Sequence, residues 1–416
     1  MKAVILAAGE GLRLRPLTST RPKHMLPVGG TPLLEHTLLA LKAAGVKDIA
    51  ILVGYLEEKI RDYFQNGSRL GLSLTYIRQQ HPSGTASAVG LAEEYVDSED
   101  FIAVYGDLLL GVDVFSTVLR RYEDDESVTM AVVPASNPRE FGVITVEDGF
   151  VKKIVEKPKG EVESNLINAG VYVFPAEIFR YIKETGKSAR GEYEITDTLQ
   201  SLLNKGVQIA ACSVDPEEWL DIGRPWDLLE ANSRVLGKIV SDIKGEVDEG
   251  AHLLGPVVVR EGARIRSGAY IEGPVFIGEG CDVGPNCYLR PCTSLGRSVR
   301  IGNACEVKNS IIMDGTHVGH LSYVGDSVMG ENCNLGAGTI TANLRLDDGP
   351  VKMMVKENLI NSGQRKLGAF LGDSVKTSIG VSIMPGIKIG AGAWIGPAAV
   401  VRRDVPEGSR FNLEKS

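Results

Sequence analysis

Ile265-Arg266-Ser267-Gly268-Ala269-Tyr270-Ile271-Glu272-Gly273-Pro274-Val275-Phe276-Ile277-Gly278-Glu279-Gly280-Cys281-Asp282-Val283 sets an aliphatic residue at every sixth position, at Ile265, Ile271, Ile277 and Val283. The beat runs back through Val259 and Leu253 to Val247 and forward through Leu289, Leu295, Ile301 and Val307. It slips by one residue near Ile312 and again near Met329, breaks for a long insertion, and resumes at Leu371, Ile383, Ile389, Ile395 and Val401. A hexapeptide period predicts a parallel β-helix, in which three short strands make one coil of a triangular prism and aliphatic side chains stack inward. Glycine often follows the aliphatic position because the chain must turn a sharp corner there. Residues eighteen apart then lie one above another, Cys287 on Cys305 being such a pair.

The cysteines fit this scheme. Cys281, Cys287, Cys305 and Cys333 fall two positions before an aliphatic repeat residue, where other turns place Ala251, Ala263, Ala269, Ala393 and Ala399. None of the six cysteines forms a Cys-x-x-Cys pair, so they are expected to be reduced small core fillers, neither metal ligands nor disulfides. With 416 residues, 43% hydrophobic and 24% charged, the chain is that of a soluble protein too long for one ordinary core. A net charge of −8 and no basic patch with interleaved aromatics argue against a nucleic-acid partner. No stretch approaches a membrane span, and the run from Met1 to Ala8 lacks a signal-peptide pattern, so a cytoplasmic chain without a membrane partner is expected.

The first half alternates apolar runs with amphipathic segments: Ala3 to Ala7, Leu33 to Ala44, Ile49 to Val53, Leu56 to Phe64, Leu74 to Ile77, Ala86 to Glu94, Phe101 to Tyr105. That βαβα order predicts a Rossmann-like α/β domain over residues 1–240, with a mostly parallel sheet and ligands beyond the carboxyl ends of its strands. A helix from Pro225 to about Gly237 is expected to lead out of it. The prism is then assigned to residues 241–416, with a loop extruded at 342–368, where charges and Gly349-Pro350 cannot continue the coil.

Directly after the first strand comes Leu6-Ala7-Ala8-Gly9-Glu10-Gly11-Leu12-Arg13-Leu14-Arg15-Pro16, whose glycines let backbone N–H groups approach phosphates while Arg13 supplies a forked donor. Taken alone it reads equally well as a tight βα turn, and it matches neither the dinucleotide fingerprint nor the Walker loop. It is followed by Arg21-Pro22-Lys23-His24-Met25-Leu26-Pro27, then Gly84-Thr85, then Tyr105-Gly106-Asp107. This set, in this order, resembles the sugar-1-phosphate nucleotidylyltransferases. The resemblance implies that Ala8, Gly9, Gly11, Arg13 and Lys23 hold the nucleotide, with Arg13 and Lys23 acting on the triphosphate. It further implies that Gln79, Gly84 and Thr85 face the base, and that Gly142, Glu156, Lys157, Asn168 and Gly170 contact the sugar phosphate. Asp107 and Asp221 would hold Mg²⁺; by position alone, a single Asp before a turn, such as Asp221, is also a cap or turn residue. Gly11-Leu12-Arg13 stands where many relatives have Gly-Thr-Arg, and the Leu-x-Pro-Leu-Thr continuation looks thymidylyltransferase-like, leaving both UTP and dTTP as expected substrates.

Within the prism, Val318-Gly319-His320-Leu321-Ser322-Tyr323-Val324-Gly325-Asp326 precedes Asn332-Cys333-Asn334-Leu335-Gly336-Ala337-Gly338-Thr339-Ile340-Thr341-Ala342-Asn343. That passage, with Leu289-Arg290-Pro291 and Lys308, resembles the acetyltransferase domain of the bifunctional GlmU-type proteins. The resemblance implies a left-handed coil, a homotrimer, His320 as general base, and Arg290, Lys308, Tyr323, Asn334 and Asn343 around an amino-sugar-1-phosphate and acetyl-CoA. Lys352, in the insertion, aligns with a further lysine of the family. An amine must be free of its proton to attack a thioester, and a histidine titrating near neutrality suits that task. Standing alone, His320 would read as a corner residue of the coil.

The expected function is therefore acetyl-CoA-dependent N-acetylation of glucosamine-1-phosphate or galactosamine-1-phosphate. Mg²⁺-dependent uridylyl or thymidylyl transfer to the N-acetyl-sugar-1-phosphate then releases pyrophosphate. The alternative is a monofunctional glucose-1-phosphate or mannose-1-phosphate nucleotidylyltransferase whose prism only oligomerises.

Overall fold

The computed structural model describes residues 1–81, 83–125 and 127–412. The chain divides into two compact units, one made of Met1–Glu10 with Leu33–Asp221, the other of Gly11–Pro32 with the chain from Ile222 onward. The second unit thus owns a segment from the beginning of the sequence.

A nine-stranded sheet forms the first unit, in the order Ser73–Arg78, Asp48–Val53, Lys2–Ala7, Phe101–Tyr105, Leu166–Phe174, Val128–Pro134, Ile209–Ser213, Phe150–Glu156, Gly142–Glu147. The first four strands are parallel. Val4, Ile5 and every residue from Ile49 to Val53 are fully buried, as befits strands covered on both faces. Beyond them Leu166–Phe174 runs antiparallel to both neighbours, and Phe150–Glu156 pairs antiparallel with Gly142–Glu147. The sheet is therefore mixed: seven of its nine strands run the same way, and Leu166–Phe174 and Phe150–Glu156 run against them. Phe150–Glu156 reverses on Gly142–Glu147 through a tight turn at Asp148 and Gly149, both at positive φ.

Three parallel sheets of eight, nine and eight strands make the prism. Successive coils pair at a spacing of eighteen, as in Val257↔Val275, Ile265↔Val283 and Ile271↔Leu289. From Ser294↔Ile311 through His317↔Asn334 to Tyr323↔Ile340 the spacing falls to seventeen, the structural counterpart of the two sequence slips. The insertion is crossed at Val328↔Phe370, after which Phe370↔Lys388 restores eighteen. It carries a hairpin, Lys352–Val355 against Asn358–Asn361, anchored by buried Val351, Met353 and Val355. The helix ahead of the prism, Asp227–Leu236, packs with this second unit.

Filler positions change with coil length. In the eighteen-residue coils they are Ala263, Ala269, Cys281, Cys287 and Cys305, all buried, and all six cysteines are unpaired thiols. Burial pushes the thiols of Cys281 and Cys287 up to about 12, so they stay protonated and unreactive. In the seventeen-residue coils the fillers include Ser310, Thr316, Ser322, Ser327 and Thr339, equally buried, while Cys333 keeps a thiol at one such position. A shortened coil brings fewer backbone carbonyls into line, and these hydroxyls take their place. Ser327 N donates to Ser310 Oγ at 3.1 Å and Cys333 N to Thr316 Oγ1 at 2.9 Å. Each hydroxyl passes its own proton to a carbonyl, Ser310 to Lys308 O and Thr316 to Gly330 O, both at 2.7 Å. Among the described residues no helix is long and apolar enough to cross a membrane.

Candidate functional site

In the first unit Asp107 lies in the turn joining Phe101–Tyr105 to Leu108–Leu110. Trp219–Asp221 pairs antiparallel with Leu108–Leu110 and sets Asp221 opposite Leu108, so the ladder brings the two half-buried carboxylates into adjacent register. Close by, two other acids act as caps. Asp215 Oδ1 accepts Glu217 N at 2.9 Å, and Asp227 Oδ2 accepts Arg224 N at 2.7 Å. A carboxylate pair of this kind fits Mg²⁺, which binds through one or two carboxylates and completes its shell with water and phosphate. Among the described residues no larger cluster of metal-ligating groups occurs.

Ala8, Gln79 and Gly84 occupy loops beyond strand ends. Ala8 O accepts Tyr55 N at 3.2 Å, and Gln79 N donates to Val53 O at 2.8 Å. Gly84, at φ 116°, must be glycine, because the Tyr193 backbone fills the space of a Cβ. Thr85 Oγ1 accepts Ile195 N at 2.9 Å, tying this turn to the helix Ile195–Asn204.

The residues expected around a sugar phosphate come together. Gly142 pairs with Glu156, and a Cβ there would stand 2.9 Å from Glu156 Oε2 and 3.6 Å from Asn168 Cβ. Asn168 is buried: its Oδ1 accepts Gly170 N at 3.0 Å and its amide donates to Tyr172 Oη at 2.5 Å. Tyr172 in turn meets Tyr105 Oη at 3.1 Å, and burial pushes the Tyr105 hydroxyl up to about 12. Lys157, at φ 42°, sets its ammonium 3.8 Å from Glu156. Arg190, which nothing in the sequence flagged, reaches Glu156 at 3.4 Å and Glu194 at 3.1 Å. Its partners Glu192 and Glu194 lie two and four positions on, while Glu156 comes from a separate strand, so only that last contact was hidden from local spacing.

Gly11, Arg13 and Lys23 are on the segment that belongs to the second unit. Gly11, at φ 64°, caps a short 3₁₀ turn Leu12–Leu14, accepts Thr18 Oγ1 at 2.9 Å, and lies against Lys23, where an added Cβ would be 3.1 Å from Lys23 Cβ. Arg13 is exposed and Lys23 half-buried.

On the prism, Arg290, Lys308 and Tyr323 share one sheet. Lys308 pairs with Gly325, and Tyr323 follows Glu306 in the same column. Asp326 closes the group. It is 3% exposed, both its oxygens lie 3.1 Å from Lys308 Nζ, and it accepts Asn309 Nδ2 at 2.8 Å and Asn343 Nδ2. Asn343 Nδ2 also reaches Tyr323 Oη at 3.0 Å. Gly325 lacks a Cβ where Tyr323 Oη and Asn343 Nδ2 pass over its backbone. Burial raises the Tyr323 pKa, keeping the hydroxyl protonated. Arg290 bonds Glu306 at 2.9 Å, which raises its own pKa, while its Nε is buried without a partner. That unused N–H is aimed to serve an acceptor such as a phosphate oxygen.

His320 ends the strand His317–His320 on the adjoining sheet, exposed, with Asn303 opposite. Leu321 follows at φ 50° and is 63% exposed, an unfavourable conformation and environment for leucine immediately beside the proposed base. Asn334 is exposed on the His320 sheet, between His317 and Lys376, and Lys352 is exposed on the inserted hairpin opposite Asn361; both stand apart from the Asp326 cluster. Asp326 itself was absent from the sequence-based set. Its only sequence signal is an acid directly after a glycine at a coil corner, and the structure puts it there at φ 49°.

Residues 2–238 match the family described as Nucleotidyl transferase, and residues 271–384 match the GMPPB C-terminal domain. Over 410 residues the chain is 44% identical to a bifunctional GlmU protein of Methanocaldococcus jannaschii, covering 97% of this chain and 96% of that one. It belongs to the bifunctional GlmU-type family. A bifunctional sugar-1-phosphate nucleotidylyltransferase/acetyltransferase of Sulfurisphaera tokodaii is 41% identical over 416 residues, 99% of this chain and 100% of that protein. A UDP-glucose pyrophosphorylase solved with UDP-glucose superposes with a TM-score of 0.53 at 27% identity, over 57% of this chain and 98% of the other. The GlmU-type chain is thus a transferase, with a nucleotidyltransferase part followed by an acetyltransferase prism.

Proposed function

We propose that the prism transfers acetyl from acetyl-CoA to the amine of glucosamine-1-phosphate or its galacto epimer, and that the α/β part then joins the N-acetyl-sugar-1-phosphate to UTP or dTTP. The observation that carries the acetyl-transfer half is the closed Lys308–Asp326–Asn343–Tyr323 cluster beside Arg290, one strand end away from His320. Lys308 and Arg290 supply the positive charge that a sugar phosphate needs. His320 accepts the proton that the amine loses as its nitrogen bonds to the thioester carbon, and the carbon–sulfur bond then breaks to release CoA thiol. A purely oligomerising prism has no use for His320, Tyr323 and Asn343 placed in register beside Arg290 and Lys308, which disfavours the monofunctional reading.

In the α/β part, Asp107 and Asp221 would hold Mg²⁺, whose charge offsets that of the two anionic substrates. Arg13 and Lys23 bind the triphosphate, Ala8, Gly9, Gly11, Gln79, Gly84 and Thr85 fit the nucleotide, and Gly142, Glu156, Lys157, Asn168 and Gly170 fit the sugar. No protein nucleophile is needed, because the sugar phosphate oxygen attacks the α-phosphorus and pyrophosphate leaves. A cytoplasmic homotrimer is the proposed state. Tyr270, Ile340 and Val400, exposed on one prism sheet though separated by residues such as Glu306 and Ser382, are apolar surface that assembly would cover.

The test pairs two variants. His320→Ala is expected to lower CoA thiol release from acetyl-CoA and glucosamine-1-phosphate by about 10²–10⁴-fold while pyrophosphate release persists. Asp107→Ala is expected to do the reverse. Survival of thiol release in His320→Ala would remove the base assignment, and loss of thiol release alone in Asp107→Ala would contradict the division of labour. A panel of UTP and dTTP against both epimers, with N-acetylglucosamine-1-phosphate and glucose-1-phosphate, fixes base and sugar.

A further inference from the structure

Arg21 is an unusual residue for its surroundings: 7% exposed, charged, and held by groups more than three hundred positions along the chain. One terminal nitrogen lies 2.6 Å from Glu331 Oε1 and the other 2.5 Å from Asp373 Oδ2. Thr20 Oγ1 donates to the same Asp373 oxygen at 2.6 Å, and Met313 Sδ is 3.3 Å from the guanidinium. Asp373 is fixed in turn, its other oxygen accepting Glu331 N at 2.8 Å. The two acids occupy stacked corners, Ser374 N donating to Glu331 O at 2.7 Å.

At its far end the same segment is fastened again. Gly29 N donates to Asn232 Oδ1 at 2.9 Å, while Asn232 bonds Cys292 O and Ser294 Oγ, each at 2.9 Å. Gly29 and Gly30, both at positive φ, lie so close to Val235 and Phe276 that a Cβ at either would collide. Between the two anchors runs Pro22-Lys23-His24-Met25. Met25 N donates to Pro22 O at 2.9 Å, so the orientation set at Arg21 passes through one proline of fixed φ into the turn bearing Lys23, and from Lys23 to Gly11 by direct packing.

We infer that Arg21, Asp373 and Glu331 form a positioning joint through which the prism sets the triphosphate-binding segment of the nucleotidylyl reaction, so that a carboxylate of the acetyltransferase part tunes the other activity. This rests on the proposed roles of Gly11, Arg13 and Lys23. Asp373 and Arg21 touch no substrate in it; they act through Lys23.

The readout is a split between activities and constants. In the full-length chain, Asp373→Ala is expected to raise the KM for the nucleoside triphosphate about tenfold. The KM for the sugar phosphate and CoA thiol release should both stay within about twofold. Glu331→Ala, whose carboxylate is more exposed and better screened, should give a smaller shift in the same direction. Arg21→Ala should match Asp373→Ala without altering the coil, and Arg21→Lys, which keeps the charge but cannot fork to two acids, should fall between Arg21→Ala and the native chain. An unchanged nucleotide KM in Asp373→Ala or Arg21→Ala overturns the joint, as does a parallel fall of both activities. Failure of the unmodified chain to release pyrophosphate from any nucleotide and sugar phosphate would instead sink the underlying assignment.

Discussion

The prism contains two kinds of coil. From Val257 to Ile301 the pairing is eighteen residues deep and the interior is aliphatic, with alanine and cysteine as fillers. From Ser310 to Thr341 it is seventeen deep, and five interior hydroxyls are hydrogen-bonded to backbone. The long coils make a rod, whereas the short ones carry the acid–lysine–asparagine cluster. Losing one residue at a corner therefore has two effects: it turns a side-chain column relative to the coil below, and it strands amide groups that only a polar filler can satisfy. One threonine on the long-coil side marks the border. Thr293 Oγ1 is buried with no partner.

Three substitutions test this contrast, beginning with the largest effect. Asp326→Ala removes the acid that binds Lys308, Asn309 and Asn343, leaving a poorly solvated ammonium; a stability loss of about 3–5 kcal/mol is expected in chemical denaturation. Thiol release should fall by about 100-fold from misplaced side chains. Native-like stability would mean that the cluster is solvated and not structural. Thr316→Val deprives Cys333 N of its acceptor and Gly330 O of its donor, for an expected loss of about 1–3 kcal/mol. Thr293→Val, the same exchange just outside the short coils, removes a hydroxyl that bonds nothing; it should be neutral or stabilise by up to about 1 kcal/mol. If the two valine variants lost equal stability, coil length would not explain the polar interior.

Much of this architecture is legible from residues 247–401, because a six-residue beat leaves the backbone few alternatives. The slips near Ile312 and Met329 located the short coils, and His320, Tyr323 and Asn343 stood beside them. The serine and threonine fillers gave no such warning, since their small volume suits the same positions as alanine and their role depends on which peptide faces them. Asp326 and Arg21 were invisible for another reason: their partners come from separate strands or coils, and one-dimensional spacing holds no record of that. In the α/β part the runs at residues 101–105 and 128–133 foretold strands, but which strands run against the rest depended on pairings between segments far apart in sequence.

The segment fastened by Arg21 has a consequence for the birth of the molecule. Arg21 leaves the ribosome early, while Asp373 is made 352 residues later. All nine strands of the N-terminal sheet, ending with Ile209–Ser213, exist before the first coil is synthesised. The Arg21 end of residues 11–32 must therefore wait for Asp373, whereas the Gly29 end can be fastened as soon as Asn232 has been made. Nascent chains stopped short of Asp373 therefore present the Arg21 end of that stretch to proteases and chaperones.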